Sequence, residues 1–138
     1  MGSQPVILAD THALLWLVTG HANLGPRAIE LIGEALKEDV GHVSAMSFWE
    51  IAMLISKDRL EFRYTLQEWR RRSLERGFSE VPVSGDIGIA AVELADLHAD
   101  PADRIIVATA VLNGLTLITA DRRILDWPGQ LLRHDARH

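Results

Sequence analysis

Four carboxylates in this 138-residue chain stand where an acid is unusual, and their positions decide what chemistry the sequence can support. Asp10 lies between the apolar runs "VILA" and "ALLWLV", close to any core those runs build, and a buried acid is costly unless paired. Glu50 interrupts "SFWEIAML", Asp103 opens the apolar "RIIVATAVLNG", and Asp121 stands just beyond "LTLIT", after Ala120. Each has an ordinary structural explanation. "SFWE" fits a capping box, with Ser47 as cap and Glu50 reaching back to its amide. Asp100 is a good N-cap, Pro101 suits the first helical position, and Asp103 at the third favours the helix dipole. Asp121 also fits a turn ahead of "RRILDW".

Together the four acids say more than they do singly. Unit charges about 4 Å apart repel by roughly 4 kcal/mol at an effective dielectric near 20, so converging carboxylates need protons or a cation. A hard divalent ion such as Mg²⁺ or Mn²⁺ is satisfied by oxygen ligands and keeps some of its waters. Such a site suits phosphoryl hydrolysis, because a carboxylate-held metal can activate water, orient a phosphodiester and stabilise the leaving oxygen.

Convergence requires elements that aim the acids at one place. "PVILAD" reads as a strand ending in Asp10, with "THALLWLV" a helix after it. "GPRAIELIGEALKED" is an amphipathic helix started by Pro26, and "VGHVSAM" a second strand. "SFWEIAMLISKDRL" reads as a helix whose stripe is Phe48, Trp49, Ala52 and Ile55, widened by Ile51 and Leu54. "TLQEWRRRSLERG" is a helix stopping at Gly77, and "SEVPV" a strand that Pro82 keeps out of a sheet centre. "GDIGIAAVELADL" is a glycine-weakened helix, and the helix behind Asp103 ends at Gly114. "LTLIT" is a strand, and a last short strand is expected around Leu131 and Leu132. Alternating strands and helices favour an α/β fold with a mainly parallel sheet between helical layers. Ligands of such sheets bind at the carboxyl ends of the strands, where Asp10 and Asp121 both fall. The length fits a single domain over residues 1–138, with about 1–4 and 134–138 expected to be flexible.

Other chemistries are poorly served. With no cysteine there is no disulfide, thiolate zinc site or cysteine nucleophile. No glycine-rich dinucleotide or phosphate loop occurs, and no serine elbow. The six histidines lack zinc-protease spacing, although His12 and His98 stand close enough to the acids to meet a substrate. No apolar run has the roughly 20 residues of a membrane span, and no secretory signal opens the chain, so a cytoplasmic protein without membrane contact is expected. A net charge of −5 argues against coating nucleic acid by bulk attraction. The arginines at 63, 70, 71, 72 and 76 form either a solvated helix face or a phosphate-binding surface.

Four ordered stretches, "ILADTHALLWL", "VSAMSFWEIAML", "HADPADRIIVATA" and "LTLITAD", resemble the PIN domain, and within it the VapC-type toxins of toxin–antitoxin pairs. The resemblance spans nearly the whole chain. It implies a compact three-layer α/β/α ribonuclease in which Asp10, Glu50, Asp103 and Asp121 bind Mg²⁺, or Mn²⁺, with Thr11 and Thr119 beside the site. It further implies an RNA substrate, a homodimer, and silencing by a cognate VapB-like antitoxin whose tail crosses the acidic groove. The helices around Trp16, Trp49 and Trp69 offer apolar residues, although an aromatic there is more often core than interface. The rival from another class is a non-catalytic α/β module that uses the acidic pocket to hold a cation or a basic peptide. A phospho-receiver would want adjacent acids after the first strand, and a dehalogenase-like phosphatase Asp-x-Asp there, whereas this chain has Asp10-Thr11-His12.

Overall fold

The computed structural model describes residues 5–57 and 63–138. Its strands are β1 (Ile7–Ala9), β2 (Gly41–Ser44), β3 (Ser79–Val81), β4 (Thr116–Thr119) and β5 (Arg133–Asp135), all parallel, in the order β3-β2-β1-β4-β5. Between them run α1 (Thr11–Thr19), α2 (Pro26–Lys37), α3 (Ala45–Ser56), α4 (Leu66–Glu75), α5 (Gly85–Glu93), α6 (Pro101–Asn113) and the single turn α7 (Arg122–Leu125). The chain builds outward from β1 to β2 and β3, then returns to place β4 on the other side of β1. The reversal between β1 and β4 opens a crevice at their carboxyl ends.

Strand alternation divides the core into two layers. Ile7, Ala9, Val43 and Ile118 point into one, against Leu14, Ala28, Ile32, Phe48, Ile51 and Trp69 of α1 to α4. Leu8 and Leu117 point into the other, against Ile106 and Val107 of α6, with Ile124 and Trp127 beyond. Covering helices on both faces make the central strands continuously apolar, which is why "VILA" and "LTLIT" show no alternation. β3 stops one residue before Pro82 and lies at the sheet edge, as the missing proline donor requires. Gly114 adopts φ 63° at the end of α6, a left-handed cap that glycine accepts without Cβ strain.

Two expectations, for the last strand and for the α3 stripe, are corrected. The last strand is Arg133–Asp135 rather than the region of Leu131 and Leu132; Leu132 is 63% exposed, and its carbonyl accepts from Leu117 N–H. Ala136 is fully buried, its amide donates to the Thr119 carbonyl, and Gly25 and Arg27 donate to the Ala136 and His138 carbonyls. A Cβ at Gly25 would come within 2.5 Å of the Arg137 and His138 backbone, so the glycine is what lets the tail lie there. On α3, Trp49 is 51% exposed and Ile51 wholly buried, so the stripe is rotated from the expected one, while Trp69 of α4 is a core residue set edge-on to Phe48 at 6.1 Å. The expectation for residues 1–4, and the continuation of "SFWEIAMLISKDRL" through 58–60, fall outside the described residues.

The arginine-rich segment reads as a solvated helix face. Arg70 forms a two-pronged pair with Glu80, Arg71 pairs with Glu75, and Arg72 lies over the Tyr64 ring.

Candidate active site

Each acid is placed by a local backbone device. Asp10 follows β1, its amide extends the ladder to the Ile118 carbonyl, and its Oδ1 caps α1 by accepting from Ala13 N–H at 2.8 Å. Asp121 follows β4 and caps α7, accepting from Arg123 N–H at 2.9 Å. Asp103 sits in the first turn of α6, where Asp100 is the cap and accepts the Asp103 amide at 3.0 Å. Glu50 comes from the middle of α3 and not from a capping box. α3 begins two residues earlier than expected because Ser44 is the cap, accepting from Met46 N–H at 3.0 Å. Ser47 is left inside the helix, fully buried, sharing a 3.0 Å hydrogen bond with Thr11 that ties α3 to α1.

All four acids line one cleft of about 360 Å³, together with Thr11, His12, Trp16, Asp100, Arg123 and Arg137. Within it the donor atoms form two overlapping groups, each spanning no more than 4.8 Å: Glu50 with Asp100 and Asp103, and Asp103 with Asp121 and His98. Asp103 is common to both. Asp10 lines the cleft but belongs to neither group, its carboxylate being held back toward the N-terminus of α1. Two ligands of one Mg²⁺ lie at most about 4.2 Å apart, given bonds near 2.1 Å, so slight closure of these carboxylates would enclose an ion. The oxygen-dominated donor set therefore fits a hard divalent cation, and His98 adds a nitrogen that Mn²⁺ tolerates.

The electrostatics agree with a site whose acids outnumber its cations. Burial pushes the Asp10 carboxyl from 3.8 up to about 6, despite hydrogen bonds from the Thr119 hydroxyl and the Ala13 amide, with Asp103 adding like-charge repulsion. Burial likewise raises Glu50, against a hydrogen bond from Thr11 and with repulsion from Asp103. Asp103 is raised by burial and by Asp100 and Asp121, and His98 opposes this from 2.6 Å. At Asp121 burial is outweighed by the Arg123 guanidinium and amide, and the carboxyl is lowered. Thr119 is fully buried and couples the two strand-end acids: its oxygen accepts the Asp121 amide at 3.1 Å while its proton serves Asp10.

These shifts give a pH signature. The folded chain binds the Asp10 proton more tightly than the unfolded chain, so burying this group costs nothing below about pH 4 and progressively more as pH rises through about 6. In EDTA, Asp10→Asn should gain stability relative to the native chain between pH 4 and pH 7.5, by on the order of 3 kcal/mol. Urea unfolding at both pH values measures this, and a difference that does not change with pH would refute it.

Three further members of the site were not assigned from the sequence. His98 was noted only as a neighbour, yet its Nε2 donates to Asp103, and its buried Nδ1 meets no partner among the described residues. Asp100, expected only to cap, also contributes to the acidic cluster. Arg104 fastens the segment that carries both. Its Nε, Nη1 and Nη2 together donate to the carbonyls of Ala91, Val92, Leu94, Leu97 and His98 at 2.6–3.1 Å. Only the first two left a trace in the sequence, through their places in "HADPAD".

An all-parallel sheet with acids gathered at its switch point defines an α/β protein with an acidic cleft, and the chain belongs to the PIN domain family, which it matches over residues 7–129. Among curated proteins it is similar to Ribonuclease VapC22 of Mycobacterium tuberculosis, with 31% identity over 119 residues, 86% of this chain and 88% of that one. Its fold resembles a toxin–antitoxin complex from Klebsiella pneumoniae, with TM-score 0.62 at 24% identity over 94% of this chain and 97% of that one. It also resembles VapBC2 from Rickettsia felis bound to a fragment of promoter DNA, with TM-score 0.63 at 17% identity over 93% and 97% of the two chains. The expected three-layer fold is thus the observed one. Among the described residues, no helix is long and apolar enough to cross a membrane.

Proposed function

We propose that this chain is a divalent-metal-dependent endoribonuclease, a toxin of the VapC type restrained by a cognate VapB-like antitoxin, with Asp10, Glu50, Asp103 and Asp121 as its metal-binding acids. The observation that carries the reading is the meeting of these acids in one cleft at the β1–β4 switch point. Similarity to a ribonuclease over most of the chain supports it. Mg²⁺ is the proposed ion, with Mn²⁺ as a substitute. Bound there, it would supply an activated water and charge stabilisation at the scissile phosphate.

The protein's own part is to hold the ligands rigidly. Asp103 is fixed by the buried α6 behind it and by His98 beside it. Thr11 holds Glu50, and Thr119 holds Asp10, each from a buried hydroxyl. The Asp10 carboxyl, pushed up to about 6 by burial, would stay ionised to lower pH with a cation neutralising the cluster. A basic antitoxin segment would meet the same acids, which makes the cleft a place where inhibitor and cation compete. A homodimer belongs to the same reading, and α5 and α6 offer it the exposed apolar side chains Ile89, Val92 and Leu112.

The alternative, a non-catalytic pocket for a cation or basic peptide, keeps the geometry but forbids turnover, and similarity to a ribonuclease disfavours it. Total cellular RNA incubated with the purified, antitoxin-free chain separates the two. Discrete fragments are expected with Mg²⁺ or Mn²⁺ and none with EDTA. A folded, metal-binding chain that leaves every RNA intact would end the nuclease reading.

A further inference from the structure

Five carboxylates line the cleft: Asp10, Glu50, Asp100, Asp103 and Asp121. Two arginines line it with them. Arg137 is already committed, its Nη1 donating to the Ala120 carbonyl at 2.7 Å and its guanidinium lying 5.5 Å from the centre of the Trp16 ring. Arg123 is placed differently. Its Nε and Nη2 fork across both oxygens of Asp121 at 3.2 and 3.0 Å, and Nη2 also lies 3.5 Å from Asp103 Oδ2. The guanidinium thus bridges the two acids that share a prospective ligand group with His98. With the Arg123 amide also donating to Asp121 Oδ1, residue 123 engages that carboxylate three times.

This arrangement cannot persist when a divalent cation enters. Nη2 stands 3.0 Å from Asp121 Oδ2 and 3.5 Å from Asp103 Oδ2, where an ion shared by those two oxygens would sit, so an entering cation displaces it. Release is cheap, because the Arg123 side chain is 61% exposed and water can take the place of its partners. The freed guanidinium remains anchored at the start of α7, on the rim of the cleft, where the phosphate of a bound strand would lie. Its planar fork matches phosphate oxygens as it matches carboxylate oxygens.

We infer that Arg123 is a phosphate-positioning residue that exchanges partners, bridging Asp121 and Asp103 in the metal-free protein and gripping the RNA phosphodiester once those acids turn to a divalent ion. The inference rests on the nuclease reading and adds to it a residue outside the acidic quartet. It makes two predictions of opposite sign. Removing the guanidinium takes away a competitor for the acids, so Arg123→Ala should bind Mn²⁺ about two- to fivefold more tightly. Removing a charge-assisted contact to phosphate should weaken binding of RNA in Mn²⁺ by about tenfold.

The test combines calorimetric titration of Mn²⁺ with fluorescence anisotropy of a mixed-sequence single-stranded 12-nucleotide RNA, for the native chain, Arg123→Ala and Arg123→Lys. Lysine keeps the charge but not the fork, so it should restore the native Mn²⁺ affinity and only part of the RNA affinity. An alanine variant with unchanged Mn²⁺ and RNA affinities overturns the inference, as does one that binds Mn²⁺ more tightly and RNA equally well. If both proteins cleave RNA alike, the nuclease stands without this role for Arg123. If the native chain binds Mn²⁺ but neither binds nor cleaves any RNA, the nuclease reading fails and the inference with it.

Discussion

Asp103→Asn is expected to lower metal-dependent RNA cleavage by roughly a thousandfold, equivalent to about 4 kcal/mol of transition-state stabilisation, while leaving the fold intact. Asp103 is the residue for which this expectation is sharpest, because it is common to both prospective ligand groups. Loss of its charge weakens both at once. The substitution preserves what α6 needs, since the residue-103 amide still reaches the Asp100 cap and an asparagine oxygen can still accept from His98. Burial and the neighbouring Asp100 and Asp121 already push the Asp103 carboxyl upward, so the neutral side chain relieves repulsion. In EDTA at neutral pH the variant should melt no lower than the native chain, and added Mn²⁺ should stabilise it less. Gel analysis of RNA fragments, beside thermal melts with and without Mn²⁺, checks both halves. Cleavage above a tenth of the native rate would remove Asp103 from the metal site, and a large fall in melting temperature would make it a structural residue instead.

Arg104→Ala is expected to produce the largest stability loss among the residues discussed here, about 3 kcal/mol. The guanidinium donates five hydrogen bonds to carbonyls on the last turn of α5 and the segment after it. Alanine would leave these five acceptors without the donor they now have. Urea unfolding measures the effect. A lysine variant should recover less than half of it, because one ammonium cannot span five carbonyls. Activity should fall even where the variant is fully folded, because the same segment carries His98 and Asp100 to the cleft. A loss below 1 kcal/mol would mean that solvent replaces the guanidinium without difficulty.

The contrast between these two residues shows what kind of information the sequence displays. Asp103 was legible because its signals are local: a proline, a capping acid and an apolar helix within a few positions. Asp10 and Asp121 were legible for a similar reason, each closing an apolar strand whose parallel pairing puts its end at the crevice. Arg104 was silent, because its partners are carbonyls, which have no residue identity to read, on a segment folded back by tertiary packing. The start of α3 was misplaced because Ser44 and Ser47 are both competent caps, and only the length of β2 decides between them. Helical spacing likewise finds a stripe on α3 without fixing its rotation, so Trp49 was taken inward when Ile51 holds that position. The contact between Gly25 and the C-terminal backbone left no signal in the sequence, because it depends on a close approach between positions more than a hundred residues apart.

The pairing of β1 with β4 has a consequence in time. Asp10 enters the growing chain more than a hundred residues before Asp121, and the crevice between them exists only after Ile7–Ala9 has joined Thr116–Ile118 across that span. Long-range parallel pairing of this kind is entropically expensive to close and slow to form. A ribosome carrying a partial chain therefore carries the first acid without the last. For the proposed toxin, translation and toxicity are separate events, and the interval between them belongs to whatever restrains it.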